Sequence, residues 1–160
     1  MSTLPPFQRL IDEHAADLHR FVVAMAGPHD GADAFQETML AALRTYPTLR
    51  SDQNLRGWLF TIAHRKVIDH SRARGRAGAP AADPPERRHL DPDGPDDELW
   101  AAVAALPPKQ RSAVVQRHVL DRPYDEIAAV LESSEDAARQ NVRAGLRRLR
   151  EALDPQEVSL

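Results

Sequence analysis

Residues 77–98 read A-G-A-P-A-A-D-P-P-E-R-R-H-L-D-P-D-G-P-D-D-E, a run through which no packed core can pass. Its five prolines remove backbone donors and block helix, and its seven acids, against two arginines, repel one another. The composition predicts an extended, flexible acidic linker, because loops of this length without structure are uncommon inside one compact domain. The 160 residues are thereby divided into a block at 1–76, a second at 99–153 and a tail at 154–160. Neither block is large, so each must build its core from a few short elements.

Both blocks carry the period of helices, and no strand-like alternation is found. Phe7, Leu10, Ile11, His14, Leu18, Phe21, Val22 and Met25 recur at three and four residues and predict one buried face. Gly27-Pro28 predicts its end. Phe35, Met39, Ala42, Leu43 and Tyr46 repeat the pattern up to Pro47, and Leu55, Leu59, Ile62 and Ala63 begin a third helix. In the second block, Leu99, Val103 and Leu106 lead into Pro107-Pro108, after which Val114, Val115 and His118 carry the next helix. Tyr124, Ile127, Ala128 and Leu131 form the face of another, with Pro123 suited to its first turn. Ser133 is the expected cap of the last helix, with Asp136 three residues on. The fold class expected is all-α: two small helical domains joined by the acidic linker.

Charge is uneven along the chain. The net charge is −3, yet residues 1–76 carry 10 basic and 8 acidic side chains, and the acidic excess lies in the linker. The segment A-H-R-K-V-I-D-H-S-R-A-R-G-R, residues 63–76, holds five lysines and arginines and one aspartate. On a helix, Arg65, Asp69, Arg72 and Arg76 form a polar stripe beside the apolar one. A second cationic ridge closes the chain. Ala138, Val142, Leu146, Leu149 and Leu153 are expected to face inward, and Arg139, Arg143, Arg147 and Arg150 follow one residue, or about 100°, away. Between 139 and 150 there are five arginines and no acid. A merely solvated helix usually mixes signs. Arginine suits phosphate and guanine edges, and Gln140 and Asn141 suit adenine. Helix, short turn and capped helix give the outline of a helix-turn-helix.

These features together resemble bacterial sigma factors of the extracytoplasmic-function (ECF) group, over nearly the whole chain. D-G-A-D-A-F-Q-E-T-M-L-A-A-L-R-T-Y resembles the acidic helix that docks such proteins on core RNA polymerase, which implies docking roles for Asp33, Gln36 and Glu37. N-L-R-G-W-L-F-T-I-A-H-R-K-V-I-D-H-S-R-A-R-G-R resembles the helix that opens and reads the −10 element of promoter DNA. It implies DNA contacts from Trp58, His64, Arg65, Lys66 and Arg72. For Trp58, stacking on unpaired bases competes with a place in the core. A-L-P-P-K-Q-R-S-A-V and P-Y-D-E-I-A-A-V-L resemble the module that reads the −35 element, which implies contacts from Ser134, Glu135, Arg139, Gln140, Asn141, Arg143 and Arg147. The resemblance further implies an anti-sigma factor as partner and an acidic linker that threads polymerase channels. The chain departs from the family pattern at Arg65, where many members have Asn, and at Glu132, where the turn usually has Gly. Ser133 stands where an apolar residue is common, and Gly145 interrupts the last helix at about 1 kcal/mol relative to Ala.

Other classes fit less well. Cysteine is absent, so no thiolate nucleophile or Cys-built metal site exists. His14 and His19 are five apart and His64 and His70 six apart, which misses the i, i+4 spacing of a helical metal-binding pair. No cofactor, metal, catalytic residue or small-molecule substrate is expected. The start M-S-T-L-P-P-F-Q-R-L lacks the plan of a signal peptide and no run is long enough to span a bilayer, so a cytoplasmic protein that is not a membrane protein is expected. The alternative is a stand-alone, dimeric helix-turn-helix regulator. Against it, the first block offers a second cationic strip.

Overall fold

A computed structural model describes residues 4–50, 52, 54–76 and 96–154. The expected linker therefore lies outside the described residues up to 95, and the tail from 155. Among the described residues the chain is helical without strands: α1 (Phe7–Thr45), α2 (Leu55–Arg76), α3 (Asp96–Ala104), α4 (Pro108–Val114), α5 (Tyr124–Leu131) and α6 (Glu135–Leu153). A 3-10 turn, Tyr46–Thr48, follows α1, and a π-helical stretch, Val115–Val119, extends α4.

The expected stop at Gly27-Pro28 takes the form of a break within α1. Gly27 adopts φ 87°, ψ 168°, which glycine tolerates without a Cβ clash, and Pro28 opens the second arm. Leu10, Leu18, Phe21, Val22 and Met25 are buried on the first arm, and Ala34, Thr38, Ala42 and Tyr46 on and just after the second. Leu43 departs from its expected inward position: it is 53 % exposed, because the buried four-residue row Ala34, Thr38, Ala42 and Tyr46 leaves residue 43 about 100° round the helix from Ala42. Asn54 caps α2, its Oδ1 accepting from Gly57 N at 3.1 Å. Leu59, Phe60, Ala63 and Val67 of α2 pack on α1, with the Phe21 and Phe60 rings edge-to-face at 5.4 Å.

The second half begins earlier than expected. α3 starts at Asp96, so its first turn comes from the acidic segment. Val103 and Leu106, together with Val114, Val115, Val130 and Leu149, join the same apolar cluster as the α1 and α2 residues. A smaller cluster of Ala113, Ile127, Ala128, Leu131, Ala138 and Val142 holds α4, α5 and α6 together. The two halves are thus packed on one another through a continuous core.

The α5–α6 turn corrects one expectation. Glu132 takes a left-handed conformation, φ 55°, ψ 48°. Its N–H bonds Ala129 O at 3.2 Å, and Ser133 N–H bonds Ala128 O at 2.9 Å, which is a Schellman termination. Ser133 is consumed by that motif, so the cap of α6 is Ser134, whose Oγ accepts from Ala137 N at 3.0 Å. Ala137 now holds the third helical position, and no capping box forms. Glu135 and Asp136 remain in the first turn, where the helix dipole favours acids.

Candidate nucleic-acid interface

The three groups of candidate residues occupy three surfaces. Asp33, Gln36 and Glu37 are all exposed along the second arm of α1, in register with Leu40, which is 54 % exposed. The outcome is one exposed, mainly acidic stripe with a single leucine beside it. Glu37 also reaches α2, its Oε2 lying 2.8 Å from His70 Nε2. Near that stripe, His29, Asp30 and Asp33 bring ligand atoms within 4.8 Å of one another at the surface, an arrangement exposed acidic groups commonly show without an ion.

The α2 strip is presented on the face opposite Ala63 and Val67. Arg65 and Arg72 are exposed, and His64 and Lys66 are half-buried. Arg74 and Arg76 lie in α2, but their side chains fall outside the described residues. Trp58 stands apart from the strip: it is half-buried against the core, 6.1 Å from the Tyr46 ring. His64 is the unusual member. Burial lowers its imidazole pKa to about 4; Glu132 opposes that shift, while Lys109 and Arg65 add to it. Its Nδ1 is buried without a hydrogen-bond partner.

On α6, Arg143, Arg147 and Arg150 are exposed, as are Ser134, Glu135 and Gln140. Ala138, Val142, Gly145 and Leu149 face inward, whereas Leu146 is 36 % exposed. Gly145 sits where α6 meets α4, and a Cβ there would lie 2.5 Å from Val114 Cγ2. Close approach therefore explains both the glycine and the outward Leu146. Arg139 is positioned rather than free. Its guanidinium lies 4.9 Å from the Tyr124 ring centre and within 3.4 Å of Glu135 and 3.5 Å of Asp136.

Asn141 turns away from the arginine ridge. It lines a cleft of about 800 Å³ together with His64, Arg65, Arg72, Lys109 and Glu132. The fold thus brings part of the α2 strip and one α6 residue into a single cleft between the halves. Sequence reasoning missed the contacts that join the two halves at this cleft and beyond it. Arg65 Nη2 donates to Glu132 Oε1 at 2.5 Å. Arg56 Nη2 and Arg122 Nε both donate to Glu126 Oε2, at 2.6 and 3.1 Å. Arg122 is 1 % exposed, stacked 4.3 Å from the centre of the Phe60 ring and bonded to Gln116 Oε1 at 3.0 Å. Burial raises the Glu126 pKa, but the two arginines outweigh it and hold the carboxyl below its ordinary value. The i, i+4 spacing of Arg122 and Glu126 was a local signal for one of these contacts. Nothing local marked Arg56.

Residues 10–77 match the sigma-70 region 2 family and residues 96–149 the sigma-70 region 4 family. These regions, in this order, define the class of sigma-70-type subunits of RNA polymerase. The chain is 34 % identical to the ECF RNA polymerase sigma factor SigF of Caulobacter vibrioides, over 83 % of this chain and 76 % of that one. It is 30 % identical to the ECF sigma factor SigE of Mycolicibacterium smegmatis, over 95 % of this chain but 63 % of the relative's length. The chain belongs to the extracytoplasmic-function group of sigma factors. The same fold occurs in the sigma factor RpoE of Bartonella quintana, solved with the anti-sigma factor NepR, at TM-score 0.77 and 22 % identity over 94 % of this chain and 98 % of that one. It occurs again in CnrH, solved with the cytosolic domain of CnrY, at TM-score 0.74 and 23 % identity over 94 % and 88 %. No helix of the described residues is long and apolar enough to cross a membrane.

Proposed function

We propose that this chain is a promoter-specificity subunit, which binds core RNA polymerase in the cytoplasm and directs it to promoters with a particular pair of −10 and −35 elements. The observation that carries the reading is the ordered pair of sigma regions, each bearing a cationic helix, α2 in one and α6 in the other. Asp33, Gln36 and Glu37, with Leu40 beside them, dock on polymerase. His64, Arg65, Lys66 and Arg72 meet the −10 strand as the duplex opens, where local positive charge serves the phosphates whatever the net charge of the chain. The half-buried place of Trp58 favours the core over the −10 site. Ser134, Glu135, Arg139, Gln140, Arg143 and Arg147 approach the −35 major groove, with α6 as the recognition helix and phosphate favoured at its N-terminus. Asn141 reaches DNA only when the cleft opens.

Each half binds weakly, and the connecting segment couples them through effective concentration. The chain binds and positions; nucleotide addition belongs to polymerase, and no cofactor or small-molecule substrate enters. An anti-sigma factor is the expected regulator, in keeping with one structural neighbour solved with such a partner. The test is run-off transcription with core polymerase on a promoter library, with and without the chain. Specific initiation is expected. Palindromic footprints by a dimer, without any need for core polymerase, would replace this reading with that of a stand-alone regulator.

A further inference from the structure

The cleft lined by His64 and Asn141 has the size, the apolar lining and the charge of a site for a small anionic molecule. Its volume of about 800 Å³ falls within the range of pockets that take such ligands, about 300–1,000 Å³. Ile68 of α2, Pro107 and Pro108 at the start of α4, and Val130 and Leu131 of α5 give it an apolar lining. Arg65, Arg72 and Lys109 set three cations against two carboxylates, Asp69 and Glu132. Glu132 is already bonded to Arg65. Arg72 and Lys109 are exposed and hold no hydrogen bond or ion pair among the described residues. Two further lining side chains each leave a polar atom buried without a partner, His64 Nδ1 and Gln110 Oε1, although buried polar atoms are nearly always matched. From this combination we infer that the cleft binds a nucleotide, with its base against the apolar lining and its phosphates on Arg72 and Lys109.

Each part of a nucleotide has a counterpart here, and simpler ligands leave some of the site unused. Inorganic phosphate would ignore the apolar lining and the carboxamides. An uncharged apolar ligand would cover Arg72 and Lys109 without pairing them, which is unfavourable. A base is flat and apolar on its faces and carries donors and acceptors on its edge, and the carboxamides of Gln110 and Asn141 suit such an edge. Gln110 Oε1 can only accept, so it asks for an N–H, as an exocyclic amine supplies. Burial lowers the His64 pKa to about 4, so its ring is uncharged and presents one donor and one acceptor nitrogen. The site draws on four helices or their ends: His64, Ile68 and Arg72 from α2, Lys109 and Gln110 from α4, Val130 and Leu131 from α5, and Asn141 from α6. Lys109 and Gln110 belong to neither cationic DNA strip, which separates this site from the −10 surface of α2. The site stands on the cleft itself and does not need the sigma reading. Where that reading holds, a nucleotide in the cleft and −10 DNA compete for Arg65 and Arg72.

Equilibrium dialysis of the full chain against ATP and GTP tests the site, with inorganic triphosphate as competitor. One nucleotide per chain is expected to be retained at about 1 mM or below, and triphosphate is expected to compete about 10-fold more weakly, because it lacks the base. Lys109→Ala should weaken nucleotide and triphosphate alike by about 10-fold, the loss of one charge-assisted hydrogen bond. Gln110→Leu should weaken nucleotide about 3- to 10-fold and leave triphosphate unchanged, because Gln110 meets only the base. Arg44→Ala removes an exposed cation of α1 outside the cleft lining and should change neither. Helical circular dichroism shows that each variant keeps its fold. Retention of neither nucleotide would overturn the inference, and so would triphosphate competing as well as ATP. Nucleotide binding that Lys109→Ala lowers no more than Arg44→Ala, or that ignores Gln110→Leu, would overturn it as well. Retention that follows these expectations in a chain inactive in run-off transcription would keep the site and remove the sigma reading. Run-off activity without retention would remove the site alone.

Discussion

Ser133 and Ser134 are neighbours with the same hydroxyl, yet only Ser134 Oγ caps α6; Ser133 Oγ lies 3.3 Å from the Ser134 carbonyl. Ser134→Ala is expected to cost about 1 kcal/mol of stability in urea unfolding, and Ser133→Ala only a few tenths, since a cap satisfies an otherwise orphaned N–H. The sequence pattern fits either serine, and the choice falls to the Schellman turn that takes up residue 133. The arginines of α6 differ in the same way. Arg139 is tied to Tyr124, Glu135 and Asp136, whereas Arg143 is exposed. With phosphate as its partner, Arg143→Ala should weaken promoter binding on all sequences and make the salt dependence shallower by about one unit of slope. Loss confined to one −35 sequence would assign it to a base instead. Titration of promoter binding at several salt concentrations separates the two.

At the scale of the element, α6 shows how a helix is read correctly in type and wrongly in rotation. Apolar spacing places Leu146 inward, but Gly145 occupies the contact with Val114, and Leu146 turns partly out. The loss in helix propensity at Gly145 is offset by the approach of α4. Gly145→Ala should therefore fail to stabilise, although alanine is the better helix former by about 1 kcal/mol. Gly145→Val should destabilise by about 1–3 kcal/mol through overpacking, measured by thermal unfolding. A gain in melting temperature for Gly145→Ala would show that Val114 gives way. The α5–α6 turn carries an independent test. Glu132→Gly should raise the unfolding midpoint, because glycine adopts φ 55° freely, and Glu132→Val should lower it.

At the scale of the molecule, the packing of the two halves sets the response to pH. His64 is half-buried in the cleft facing Glu132, Lys109 and its neighbour Arg65, and its pKa falls from 6.5 to about 4. A histidine held neutral by the fold contributes fully above its unfolded value. That contribution is lost progressively as pH falls from 6.5 towards about 4, because the unfolded chain then binds the extra proton. Glu126 and Glu132 are both held below 4.5, so their contributions are lost only at still lower pH. Stability measured by urea unfolding should therefore decline between pH 6.5 and 4.5, and His64→Gln should flatten that decline. An unchanged slope in His64→Gln would show that other groups carry it.

The sequence by itself determined the helical class, the division near the acidic segment and the stripes of arginine on α2 and α6. Each of these depends on a period, a run of charge or a proline, all of which act between near neighbours in the chain. The three sigma-like segments, in their order, also carried the family. Only the tertiary structure decided that Glu132 would face Arg65, that Arg122 would be buried on Phe60, that Asn141 would turn into the cleft and that Gly145 would make room for Val114. Those pairings join positions far apart in the chain. No local rule selects them, and they follow only from which surfaces two packed halves bring together.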